Sequence, residues 1–155
     1  MTKPLSEKLD TFILKWFNRH SHLFEFTDED TFEEGEAWYK QWRYQFQTTG
    51  KMKIWTGKSQ NSIYGSSIVN IYARAWHDWC HYTNALDFTL SNELLVAEFQ
   101  IASLPESWEY ERLLIEADTK GQSLHYEEWG QFPKNQRDFV LNYVSIHEEK
   151  QDLPF

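Results

Sequence analysis

Four side chains stand out for what they could do together. His77, Asp78 and His81 share one stretch, and Glu93 follows His81 after eleven further residues. Residues four apart share a helix face, so His77 and His81 can offer two ring nitrogens to one point, as paired ligands on a zinc-binding helix do. Asp78 stands about 100° round the same helix, and a carboxylate beside a ligand histidine can still reach a metal held close to the helix surface. If the chain reverses between Asn84 and Leu90, the next helix lies antiparallel and Glu93 faces the histidine pair. Two imidazoles and two carboxylates suit zinc, and also iron or manganese. The alternative is a pair of ordinary, partly buried histidines satisfied by neighbours such as Asp78 or Glu98. Burial favours the metal, because ionisable groups on a mostly apolar helix are costly unless paired or metal-bound. The sequence therefore predicts one divalent cation, zinc first, held by His77, Asp78, His81 and Glu93.

A catalytic metal needs a position open to water or substrate, and a nearby group to move protons. Glu98, Glu116 and His125 are the candidate acid/base groups, with Asp118 a fourth. Asn70 and Asn84 fall on the His77 stripe and are candidates to orient the ligands. Cys80 faces away from the histidines and reads as packing.

These residues need helices to position them, and most of the chain reads as helix. Ser6 can cap a first helix running to about His20, with Leu9, Phe12, Ile13, Trp16 and Phe17 at three- and four-residue steps. Asp30 and Glu33 resemble a capping box and predict a second helix from Asp30 to about Thr48, before Gly50. Residues 51–57 could make a short strand but lack a clear partner, so residues 51–66 read as an irregular connection. A buried, largely apolar helix starts at Ser67 and carries the histidines. Thr89 or Ser91 caps the next, which Pro105 ends. Glu106 to Glu128 reads as one long helix with Trp108, Leu113, Leu114, Ala117, Leu124 and Trp129 inward and Gly130 as its stop. Pro133 opens a last helix carrying Phe139, Val140 and Tyr143. The expectation is an all-α, single-domain helical bundle of about six helices over residues 1–155, with a flexible tail at about 150–155.

Composition sets the outer bounds. The chain has 155 residues, 41% of them hydrophobic and 25% charged, with 11 Phe, 8 Tyr and 8 Trp, enough bulk for one core. No apolar run approaches the roughly 20 residues that span a bilayer, and the start lacks a basic-then-apolar leader, so no membrane contact is expected. A lone cysteine fits a reducing compartment, and the cytoplasm of a bacterial or phage-infected host cell is the expected location. The net charge of −9 conceals a basic middle: residues 37–85 hold six cations against one acid, interleaved with Trp38, Tyr39, Trp42, Tyr44, Phe46 and Trp55. Such a segment can grip a small anionic ligand or a single strand, while the overall acidity argues against duplex nucleic acid.

His77-Asp78-Trp79-Cys80-His81, eleven residues and then Glu93 resembles the His-Asp-x-x-His-x(11)-Glu signature of the coenzyme Q biosynthesis zinc-protein family. Those are all-helical proteins associated with removing a substituent from a quinone head group. The resemblance covers 17 of 155 residues and implies that His77, Asp78, His81 and Glu93 ligate one divalent metal. Gly121-Gln122, Tyr126, Gly130-Gln131-Phe132-Pro133 and Gln136, together with that motif, look similar to small proteins encoded by tailed bacteriophages. The adjacent His77-Asp78 pair also resembles the core of HD-type phosphohydrolases, which would take His22 as the upstream ligand and Asp118 as the downstream one. Three functions are expected on these grounds. The first is a metal-dependent lyase or hydrolase acting on a small molecule, anionic ones included. The second is an HD-type nucleotide phosphohydrolase. The third is a phage-encoded protein that binds and modulates a host defence protein, with a structural metal.

Overall fold

A computed structural model describes residues 3–151. Helix α1 (Glu7–His20) starts at Ser6, whose hydroxyl accepts the Leu9 amide at 3.2 Å, and it buries Leu9, Ile13, Trp16 and Phe17. Helix α3 (Ser67–Thr83) is capped by Ser66 through the Val69 amide and packs against α1. Phe12 meets Trp76 edge-on at 5.4 Å, and Phe17 stacks on Tyr72 at 3.7 Å. This apolar seam continues into Val69, Ile54 and Met52 and forms the heart of the core.

Six helical rods are present among the described residues, as expected, but the chain is not purely helical. Strands β1 (Phe24–Thr27) and β2 (Met52–Trp55) pair in parallel, Phe24 opposite Met52 and Thr27 opposite Trp55. A parallel pair needs a crossover, and helix α2 (Glu36–Thr49) supplies it. The strand predicted within residues 51–57 therefore has its partner a whole helix upstream, where no hairpin signal betrays it. Opposite charges on Glu25 and Lys53 sit directly across the pair. Helix α2 begins at Glu36 rather than Asp30, because the Asp30 carboxylate accepts the Phe32 amide in a tight turn instead of capping a helix.

Helix α4 (Leu90–Ser103) lies against α3 and ends at Leu104, just before Pro105. Beyond it, α5 (Glu109–Glu116), a π-helical turn (Ala117–Gly121) and α6 (Gln122–Trp129) run on as one rod, stopped by Gly130 in the left-handed conformation at φ 71°. The π turn inserts an extra residue and rotates everything after it. Leu124 and Trp129, expected inward, are instead 44% and 65% exposed. Helix α7 (Gln136–Gln151) packs against the π turn with Phe139, Val140, Tyr143 and Val144. The expected flexible tail falls largely outside the described residues. Among those residues no helix is long and apolar enough to cross a membrane.

Candidate metal centre

The third helix ends in a turn that builds half the site. Leu86 and Ala85 donate their amides back to the carbonyls of His81 and Tyr82, a C-cap in which Ala85 adopts φ 53°. This turn brings the Leu86 carbonyl to 3.0 Å from His81 Nδ1. A carbonyl only accepts, so Nδ1 of His81 carries the proton and Nε2 presents a lone pair. His77 is held in the same manner from α4: its Nδ1 donates to Gln100 Oε1 at 2.7 Å. The Phe88 ring lies 4.4 Å from the His81 ring and closes that side.

The two free Nε2 atoms then converge. They are 3.2 Å apart, and Glu93 sets one carboxylate oxygen 2.9 Å from each. His81 is fully buried, while the side chains of His77 and Glu93 keep about a fifth of their surface exposed. With both Nδ1 atoms donating, all the atoms that meet here are acceptors, and either a metal ion or a shared proton can join them. Metal–nitrogen bonds of about 2.0–2.1 Å make a tetrahedral edge of about 3.3 Å, within a few tenths of the spacings seen. His77, His81 and Glu93 could thus hold a metal ion. Without one, a proton does the work. Burial opposes a charge on His77, but the Glu93 carboxylate bonded to it carries its pKa up to about 9. Burial likewise opposes ionisation of Glu93, and the two histidines outweigh it, holding Glu93 well below the usual carboxylate range.

Asp78 falls outside this triad. It lies on the wall of an adjoining cavity of about 270 Å³, together with His77, Arg74, Gln100 and Asp118. Burial raises the Asp78 carboxyl, opposed by the charges of His77 and His81. Asp118, in the π turn, is pushed up to about 6 by burial, in spite of His77 and a hydrogen bond from Gln122. The other residues singled out in the sequence are placed elsewhere. Glu98 is exposed on α4. Glu116 accepts the Tyr143 hydroxyl at 2.8 Å. His125 packs edge-on against Phe139, beside a second pocket near Trp129. Asn70 is buried on the cavity wall and donates to the Ser59 carbonyl, whereas exposed Asn84 bonds only its own helix end. His22 is exposed and does not line the cavity. Burial lifts the Cys80 thiol to about 12, which keeps it an unreactive packing group.

Cations of the basic segment mostly brace the fold. Arg43 donates to the Tyr82 carbonyl and lies over the Tyr82 ring, Lys51 reaches the His22 carbonyl, and Lys40 pairs with Glu36 on the surface. Sequence reasoning misses Gln100 and the Leu86 carbonyl as ligand supports. Gln100 does carry a signal: it is a polar residue two helical turns after Glu93, on the face that also buries Val96 and Ala97. The chain matches no protein-family model, no curated protein and no solved structure.

Proposed function

We propose that this protein is a metal-dependent hydrolase or lyase whose His77, His81 and Glu93 centre acts on a small molecule lodged in the adjoining cavity. The observation that carries the reading is the convergence of two imidazole lone pairs and a carboxylate, each histidine fixed from behind by an acceptor. A divalent ion, zinc before iron or manganese, would acidify a bound water or polarise a substrate oxygen there. Asp78 flanks the triad and either completes the ligand set or steers a proton. Asp118 faces the same cavity with a carboxyl group raised to about 6, suited to donating and accepting protons near neutral pH. Phe132 and Trp55 supply its apolar wall.

The same placement of Asp118 favours a second reading, the HD-type phosphohydrolase, in which Asp118 is a ligand rather than an acid. Elemental analysis of protein purified without an affinity tag is the first test, and about one equivalent of metal is expected. Substituting Glu93→Gln should empty the site, while His22→Ala should leave it full. A well-folded, metal-free protein, or metal retained in the Glu93 variant, overturns the proposal. Metal lost in an Asp118→Asn variant instead supports the phosphohydrolase, although exposed His22 stands away from the cavity and leaves that reading without its upstream ligand.

A further inference from the structure

Two polar helix stripes face the same cavity. On α3, Asn70, Arg74, His77 and Asp78 follow one stripe. On the rod of α5, the π turn and α6, Asp118, Thr119, Gln122 and Ser123 follow another, and both stripes line the cavity beside the metal centre. Polar groups kept from water need partners, so a polar seam of this kind is held by specific hydrogen bonds rather than by apolar packing. The π turn adds a second sign. It sits where Asp118 reaches the cavity, and such turns recur at functional sites.

Hydrogen bonds along the wall limit what the cavity can take. Among the described residues Arg74 is the one arginine or lysine on that wall, and its terminal nitrogens already donate to the carbonyls of Trp55, Gly57 and Lys58 at 2.6–2.8 Å. Asn70 turns its amide nitrogen to Ser59, at 3.0 Å, and Gln122 turns its own to Asp118 Oδ1, at 2.7 Å. Thr119 donates its hydroxyl to the Ile115 carbonyl, and Tyr64 is hydrogen-bonded to Asp118. These donors are turned into the protein, the Ser123 hydroxyl and the Gln136 amide also line the wall, and the carboxylates of Asp78 and Asp118 lie near a guanidinium whose terminal nitrogens hold three carbonyls. Away from the metal itself, a phosphate or carboxylate entering here would meet two carboxylates and few free donors.

From this we infer that the cavity binds a small polyol or amino alcohol, a molecule that brings hydrogen-bond donors and no anionic group, and that Asp118 is its principal anchor. The inference rests on the metal-centre reading for the role of that molecule as substrate, but the cavity can be tested alone. Zinc-supplemented protein is titrated with glycerol, glucose and ethanolamine in one arm and with inorganic phosphate and acetate in the other. The readout is the nuclear magnetic resonance signals of the Asn70 and Gln122 side-chain amides and the Trp55 indole. Expected are saturable shifts with at least one donor probe, none with the anions once the zinc is stripped by a chelator, because an anion can bind the metal itself, and at least tenfold weaker binding of that probe to Asp118→Asn with its metal content unchanged. Shifts produced by phosphate or acetate in the zinc-stripped protein, silence from every donor probe, undiminished affinity in the Asp118 variant, or loss of its metal would each overturn the inference. Donor binding that persists in a protein found to hold no metal supports the cavity and sinks the metal centre, so the two failures are distinguishable.

Discussion

Helix α3 presents two faces, and they obey different rules. Toward α1 it offers Val69, Tyr72 and Trp76 to Phe12, Ile13 and Phe17, an interdigitated seam of rings and branched chains with no charge in it. Toward α4 and the π turn it offers Asn70, Arg74, His77, Asp78 and His81, and the space beyond is a cavity. Burial stabilises the first face in proportion to the apolar area removed from water. On the second, burial penalises every group, and only specific partners offset the penalty. One face holds the chain together, and the other keeps ionisable groups poised at a cost that the first must cover.

The sharpest way to break that division is to damage the apolar seam and look for an effect at the centre. Trp76 is 3% exposed and packed edge-on against Phe12. Trp76→Ala should lower the free energy of unfolding by about 3–5 kcal/mol, as large core truncations do. Denaturant titration measures that loss, while metal content per folded molecule should stay the same. A fall in metal content at full folding would show that the two faces are not separable.

Next in size is the dependence on pH, where metal-free and metal-loaded protein should move in opposite directions. His77 has a folded pKa of about 9 against 6.5 for the free side chain. In metal-free protein the stability that this shift contributes is fully present below about pH 6.5 and is lost as pH rises through about 9. A metal must displace that proton, so its affinity should climb roughly tenfold per pH unit over the same window and level off above it. Thermal unfolding of the metal-free protein and competition with a chelator, each run from pH 6 to about 10, read the two slopes. A flat affinity profile would mean that His77 is not a ligand.

How much of this the sequence discloses depends on the range of the interaction. The histidine pair is a local, four-residue relation on one helix, and the antiparallel return of Glu93 needs only a short turn, so both are legible. The Ser6 cap and the Gly130 stop are equally local. The pairing of β1 with β2 is not, since parallel partners separated by a helix leave no mark in either strand. The π turn is invisible to a 3.6-residue pattern, and the error it causes is confined to the residues beyond it: Leu114 and Ala117 are buried as read, Leu124 and Trp129 are not. Acid/base assignments fail to localise for a related reason. Glu98, Glu116 and His125 stand out by residue type alone, and the partner that decides their surroundings lies on another helix.

Gln100 sharpens the comparison from the polar side. Its carbonyl oxygen accepts from His77 Nδ1, and the residue is 2% exposed. Gln100→Leu keeps the volume and removes the acceptor, which should weaken metal binding by about 10–100-fold, the usual effect of deleting a support behind a ligand. Gln100→Glu restores an acceptor and should recover most of that loss. The pair of variants separates orientation of the imidazole from simple packing, because a packing role would tolerate Leu better than Glu.

The smallest effect concerns the turn that seats His81. Ala85 sits at φ 53°, a left-handed conformation that costs a residue with a side chain about 1–2 kcal/mol. Glycine removes that strain but is more disordered when unfolded, by about 0.4–1 kcal/mol. Ala85→Gly should therefore raise stability by about 0.5 kcal/mol, seen as a small upward shift of the denaturation midpoint with an unchanged slope. What happens to the metal is the informative part. The amide of Leu86 closes the helix end while its carbonyl fixes His81, so both functions depend on one residue placed by Ala85. If the turn is held by those two bonds, metal affinity in the variant will match the parent. If Ala85 holds it by stiffness, affinity will drop even as stability rises, and the strain belongs to the site rather than to the fold.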